Sequence, residues 1–407
     1  MSTTSGEVVI DLLDPAQYTT GLPYDQLAWL RENEPVYWHE EPNGPGFWVL
    51  TRHADVKALE TDSATYSSEP WTVIPDAPPV GDEEHKLLIF SDAPGHTVRR
   101  KFLGVELNPI QVRTQREHVQ DLAREIVDDI IERGECDLVD DVAGRLASFV
   151  IADMMGIARD EAVELFPAAE LLTRGVRTDV GPGAEAQQTV FGHAARAWAD
   201  RRARPGTDWL SRLANGVWEG GVEDEAYFNL DFFHLITAGS DTSRNVISTG
   251  MLALIEHPEA YAELSADPSK VPTAVEEILR WDPPLGYQRR TATRDTEIHG
   301  RRIKSGQKVT GWYAAANRDP RVFENPEVFD IHRDPNPHLT FGAGRHFCLG
   351  SHLARVELVE MFTELVTRIP DMELAGPVKT FEYDEIPSAH GPERIDVRFT
   401  PGPRVAR

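Results

Sequence analysis

Cys348 is the residue best placed to do chemistry. It lies in the run Phe341-Gly342-Ala343-Gly344-Arg345-His346-Phe347-Cys348-Leu349-Gly350. Two glycines before the cysteine and one after it let the backbone turn tightly and approach something flat and large. The stretch that follows, SHLARVELVEMF, has helical apolar spacing, and the amides and dipole of a helix N-terminus favour a thiolate. A single thiolate on a glycine-rich loop, with no second soft ligand nearby, suits the axial position of a haem iron. Taken alone, the same residue is equally a buried, inert thiol. Cys136, in GECDLV at the junction after a helix, reads as structural.

Three further groups have spacings that chemistry uses. Ala238-Gly239-Ser240-Asp241-Thr242 interrupts an apolar stretch, with FFHLI before it and VISTGMLALI after it. A threonine hydroxyl there can bond the carbonyl four residues back, that of Ala238, and bend or open a helix. A bare run of small residues is also a place where helices pack closely. Glu277 and Arg280 share one helical face, as do many solvated surface pairs. His96 and Arg100, four residues apart, likewise present two cationic groups on one face.

The pattern F-G-x-G-x-H-x-C-x-G decides among these readings. It matches the haem-ligand loop of the cytochrome P-450 family at each fixed position, and essentially the whole chain resembles a soluble, bacterial-type member. The resemblance implies the cytochrome P-450 fold, mainly α with a small β region, as one domain over residues 1–407. It implies haem b (iron protoporphyrin IX) with Cys348 as the metal ligand. Propionate contacts fall to His96, Arg100, Arg290 and His346, with the adjacent Arg99 and Arg289 left to the surface or to salt bridges. The catalytic acid–alcohol pair is Asp241 and Thr242: Thr242 hydrogen-bonds the activated oxygen, and Asp241 relays protons through water. Glu277 and Arg280, joined by Arg333, lock the ligand loop structurally.

The implied reaction is insertion of one atom of O2 into a C–H bond. Electrons come from a separate ferredoxin and ferredoxin reductase, docking at a basic patch of Arg99, Lys101, Arg345 and Arg355. Two rivals belong to other classes. One is a haem peroxygenase or isomerase on the same fold, which typically lacks the acid–alcohol pair; the other is a non-enzymatic haem sensor or binding protein. The expected substrate is an apolar small molecule against Phe233, Ile236, Ala238 and Leu285, with Leu235, Tyr287, Trp71, Val73 and Ile74 nearby. NPHLTFGAGRHFCLG followed by SHLARVEL is similar to the steroid- and terpenoid-oxidising actinobacterial subgroup.

The elements that must position these residues are legible from periodicity. Residues 35–52 read as a hairpin, and His53 to about Glu60 as a short helix. The proline-rich 69–84 segment has no period and reads as a long loop, with 69–90 as a lid. Helical spacing recurs over 116–133, ending at Gly134, and over 140–156 and 186–216, broken by GPGAE at 181–185. Residues 223–256 form one long helix that stops before Pro258. DPPLGYQ is a loop, 288–312 alternates like strands, 315–345 is mostly coil, and a last helix runs from near Cys348 to about Arg368.

With 41 basic and 67 acidic residues the formal charge is −26, at 41% hydrophobic and 27% charged content. So acidic a surface repels phosphate backbones and anionic lipid, which excludes nucleic acid and membranes as partners. Two cysteines cannot build a disulfide framework or a multi-thiolate zinc site. The start of the sequence lacks the pattern of a signal peptide, and no apolar run approaches the ~20 residues of a membrane span. The expected location is cytoplasmic.

Overall fold

The computed structural model describes residues 9–76, 84–173, 180–219, 221–387 and 389–405. Helices dominate it. The main sheet begins with Val36–His39 (β1) and Phe47–Leu50 (β2), antiparallel across the expected turn. Tyr66–Ser67 (β3), Tyr287–Ala292 (β4) and Lys308–Trp312 (β5) complete it in the order β1-β2-β5-β4-β3. Within β4, Arg289 faces Thr310 and Arg290 faces Val309 of the antiparallel neighbour. Successive strand residues project to opposite faces, so the two adjacent arginines are sent apart. That divergence later separates their roles.

Helix α1 (His53–Thr61) packs beneath the sheet, and α2 (Gly95–Leu103) carries the histidine–arginine pair. The next helix, α3 (Pro109–Ile131), starts earlier than the apolar spacing suggests. Asn108 caps it by accepting from the amides of Ile110 and Gln111, and Pro109 supplies the first turn. Then come α4 (Gly144–Met155), α5 (Arg159–Thr173) and α6 (Gly181–Ala203). The GPGAE segment is a correction: it is the first turn of α6, with Pro182 at a position where a missing N–H costs nothing.

The long helix α7 (Glu225–Glu256) has 32 residues, hence a length of about 48 Å. Asp224 caps it by accepting from the Tyr227 amide. It is unbroken through the 238–242 notch, so the expected opening does not occur there. Gly239 serves packing: a Cβ at that position would lie 2.6 Å from the Ile151 side chain of α4. Helices α8 (Val271–Trp281) and α9 (Ser351–Arg368) complete the frame. The largest apolar core joins α3, α4, α7, α8 and α9, and two smaller cores flank the sheet. Among the described residues no helix is long and apolar enough to cross a membrane.

The 69–90 lid is corrected in part. Residues 77–83 lie outside the described set, but 71–76 is fastened to the sheet. The Arg289 guanidinium donates to the carbonyls of Val73 and Ile74 and to Asp76, Lys308 Nζ donates to the Ile74 carbonyl, and the Ile74 amide donates to Tyr287 Oη. Ile74 and Tyr287 are core residues with 0% and 2% exposure, not pocket walls.

Candidate functional site

The frame of the site is a buried charge network at the end of α8. Glu277 and Arg280 are both fully buried and pair through two contacts of 2.7 Å. Arg333 Nε donates to the same carboxylate at 3.0 Å, joined by the Asp330 amide at 2.9 Å and the Asn336 side chain at 3.2 Å. Arg280 also donates to the carbonyls of Asn317, Pro326 and Val328. The spacing of Glu277 and Arg280 is thus a structural lock, tying α8 to the coil ahead of the cysteine loop. Buried charges survive only when their hydrogen-bonding capacity is met in this way.

The loop itself is shaped by glycine. Gly344 has φ +67°, and a Cβ there would lie 2.5 Å from the Glu60 carbonyl. The Cys348 amide donates to the Phe341 carbonyl at 2.8 Å, closing the loop on itself. Cys348 precedes the first residue of α9 by three positions and is partly exposed. Burial among protein atoms pushes its thiol up, while the Gly350 N–H and the Arg100 and Arg355 guanidiniums pull it down. The expected lowering by the helix terminus is therefore outweighed by desolvation. A cationic ligand on sulfur would reverse that balance. Cys136 is buried in a short strand, and burial raises its thiol to about 12, which fits its structural reading.

The cationic candidates converge. The rings of His96 and His346 lie 4.1 Å apart, and an Arg100 N–H donates to the Phe347 carbonyl at 2.5 Å, beside the cysteine. Burial, then Arg100 and Arg345, hold His96 down to about 4; burial, then His96 and Arg290, hold His346 down to about 3. His96 Nε2 is buried without a hydrogen-bond partner. Arg290 arrives from β4 but already pairs with buried Glu60 at 2.6 Å. Sequence reasoning missed Glu60; its signal was a carboxylate near the end of a short helix on an apolar face.

Arg99 and Arg289 are engaged in ion pairs as expected, but neither is on the surface. Arg99 is buried between Glu223 and Asp231 and stacks over Phe102, Trp218 and Tyr227. That removes Arg99 from the basic patch. Arg355 is largely removed too, since it is paired twice with Glu276 and lies over the Phe341 ring. Lys101 and Arg345 remain exposed, beside a concavity of about 620 Å³ lined also by Thr97, Arg100 and Leu349.

A porphyrin with two carboxylates fits this set. One thiol stands on a loop of glycines, and a group of His and Arg donors includes a buried imidazole nitrogen with no partner. An anion placed there would relieve the mutual repulsion of the cationic groups.

Across from the loop, α7 presents the notch. Thr242 Oγ1 donates to the Ala238 carbonyl at 3.0 Å, as the spacing predicts. Asp241 accepts from Thr173 Oγ1 of α5 at 2.8 Å and is 8% exposed. Ser243 donates to Glu357 of α9 at 2.5 Å, joining the long helix to the cysteine helix. Burial raises Glu357 to about 8, opposed by that hydrogen bond. Glu357 was overlooked, although a glutamate four residues from both Leu353 and Met361 stands on an apolar helical stripe.

Of the wall residues, Ala238 is exposed, Phe233 is partly exposed against Phe191 at 5.8 Å, and Leu285 is partly exposed beside the sheet core. Ile236 is fully buried in the main core, on the side of α7 away from Ala238.

A family model described as cytochrome P-450 matches residues 228–369, from the long helix through the cysteine helix. The protein named cytochrome P-450 126 of Mycobacterium tuberculosis is 36% identical over 401 residues, covering 93% of this chain and 95% of that protein. A steroid C26-monooxygenase of Rhodococcus jostii is 33% identical over 380 residues, covering 90% of this chain and 80% of that one. A solved Mycobacterium marinum cytochrome P-450 in complex with pseudoionone matches with a TM-score of 0.87 and 33% identity, covering 98% of this chain and 100% of the other.

Proposed function

The chain belongs to the cytochrome P-450 family and is a monooxygenase. On that premise we propose that it oxidises a C–H bond of an apolar, steroid- or terpenoid-like small molecule, with electrons from a separate ferredoxin and its reductase. The family implies haem, which we infer to be haem b. When bound, it supplies the oxidising chemistry. Cys348 would hold the iron, and His96, Arg100, Arg290 and His346 would hold the propionates, with Arg290 shared with Glu60.

The chain's own residues do the rest. Thr242 presents a hydroxyl at the open face of α7, anchored on the Ala238 carbonyl. Asp241, oriented by Thr173, holds and moves a proton through water at the base of the notch. Apolar side chains of α7 and the segment after α8 orient the substrate and exclude water. An acidic ferredoxin would meet Lys101 and Arg345, because complementary charge guides docking on a chain of net charge −26.

The observation that carries this reading is the meeting of a glycine-framed thiol with an unpartnered buried His96 nitrogen and the arginines around it. Its test is the carbonyl complex of the reduced protein. We expect the strongly red-shifted Soret band of thiolate ligation, lost in Cys348→His and kept in Cys136→Ser. We also expect ligand-dependent NADH consumption with a surrogate ferredoxin and reductase. Turnover on hydrogen peroxide alone at an equal rate would instead favour a peroxygenase.

A further inference from the structure

His234 lies in the first third of α7, four residues before Ala238 and eight before Thr242. Residues at that spacing follow one face of a helix. The exposure pattern identifies the face: His234, Ala238 and Thr242 retain accessible surface, while Ile236, Ser240 and Ser243 are buried. The imidazole therefore stands on the same side as the two notch residues, about 12 Å further along the axis than Thr242.

The neighbouring hydroxyls of α7 are turned onto the helix itself. Thr237 Oγ1 donates to the Phe233 carbonyl at 2.8 Å, Ser240 to Ile236 at 2.6 Å and Thr242 to Ala238 at 3.0 Å. Among the described residues the His234 ring has no hydrogen-bond, ion-pair or ring partner. Burial alone holds it down to about 4, with no charged group contributing. A neutral imidazole offers one N–H donor and one nitrogen acceptor, and none of the described residues takes either.

We propose that His234 is the polar anchor of the substrate site, hydrogen-bonding a neutral oxygen, a carbonyl or a hydroxyl, on an otherwise apolar substrate. This rests on the monooxygenase reading of the same site and narrows its substrate class. A pure hydrocarbon would leave the imidazole desolvated and unpaired. A carboxylate would bring a charge beside a neutral ring with no cation to meet it, which costs more. A substrate oxygen at His234 also fixes the far end of the molecule, so the carbon facing Thr242 is set by the distance between them. His234 is thus a positioning residue.

The experiment uses the haem-loaded protein and three scaffolds: a twelve-carbon ring, an acyclic terpenoid related to pseudoionone, and a steroid. Each is offered as ketone, as matched hydrocarbon and as carboxylate, with the ferric spin shift reporting affinity. In the wild type we expect a ketone to bind more tightly than its hydrocarbon and carboxylate on at least one scaffold. In His234→Leu that ketone should lose about five- to tenfold in affinity while the hydrocarbon holds or gains. His234→Gln, which keeps a donor and an acceptor, should restore most of the loss. No preference for the ketone in the wild type on any scaffold overturns the proposal, and so does an equal loss of ketone and hydrocarbon in His234→Leu. The red-shifted carbonyl band is read in parallel. Its absence from the wild type would sink the haem reading, whereas its persistence in both variants with unchanged ketone affinity would sink only the anchor.

Discussion

The two sides of the site are built on opposite principles. On the side of α8 and the cysteine loop, charge is met by charge: Glu277 is held by Arg280, Arg333, Asn336 and a backbone amide, and Arg280 also binds three carbonyls. On the side of α7, the hydroxyls of Thr237 and Thr242 are turned onto their own helix, and the His234 ring has no partner among the described residues. The first side is rigid because any missing partner would strand a buried charge. The second is open because Ala238 is exposed and Thr242 and His234 keep accessible surface. One side fixes where Cys348 stands, and the other presents an accessible helix face.

The largest effect should come from breaking the closed side. Glu277→Gln removes the anion shared by Arg280 and Arg333 while keeping nearly the same volume, leaving two buried guanidiniums short of a counter-charge. Loss of one partner from such a network costs about 3–5 kcal/mol. Urea denaturation of the variant against the parent measures it. A loss below about 1 kcal/mol would mean that this network is no more than a surface pair, and the contrast between the sides would collapse.

How much of this was legible in the sequence follows the same division. Periodicity found the long helix, the first hairpin and the last helix, because each buries a stripe with a regular repeat. It missed the start of α3 and misread GPGAE as a break, since both depend on helix N-terminal chemistry rather than on apolar period. The cysteine loop was legible because glycine and thiol chemistry are local. Strand alternation, also a local rule, sends Arg290 toward Glu60 and Arg289 toward Asp76. Ile74, Tyr287 and Ile236 were misplaced for the opposite reason: an apolar side chain looks the same in a core and in a pocket, and only three-dimensional packing separates them.

A second, pH-dependent effect sharpens the comparison at a polar contact where the two sides touch. Glu357 joins α9 to Ser243 of α7, and its other carboxylate oxygen is buried without a partner. Its folded value of about 8 lies above the ordinary 4.5. The folded chain therefore retains a proton that the unfolded chain gives up in that range. The stability from this group is fully present below the unfolded value and is lost as pH rises through the folded one. The loss is on the order of a few kcal/mol. Glu357→Gln, permanently neutral, should flatten the decline between about pH 5 and 8. Denaturation midpoints across that range decide it; an unchanged slope would show that Glu357 is ionised and that the contact is an ordinary charged hydrogen bond.

The smallest effect on stability should accompany a large effect on chemistry, and it tests the open side. The Thr242 hydroxyl makes one hydrogen bond, to the Ala238 carbonyl, at a partly exposed position. Removing it in Thr242→Ala costs under about 1 kcal/mol, since water can take over the freed carbonyl at an accessible site. The red-shifted carbonyl band should be unchanged, because no residue of the closed side is touched. The share of NADH consumed that appears as oxidised product should nevertheless fall severalfold, with the remainder appearing as peroxide or water, because under the proposed mechanism the hydroxyl and Asp241 together place the proton that the reaction needs. Thr242→Ser, which keeps the hydroxyl, should recover most of the coupling. Undiminished coupling in Thr242→Ala would reduce the notch to a packing device for Gly239 against Ile151, and the catalytic role of the open side would fall to Asp241 alone.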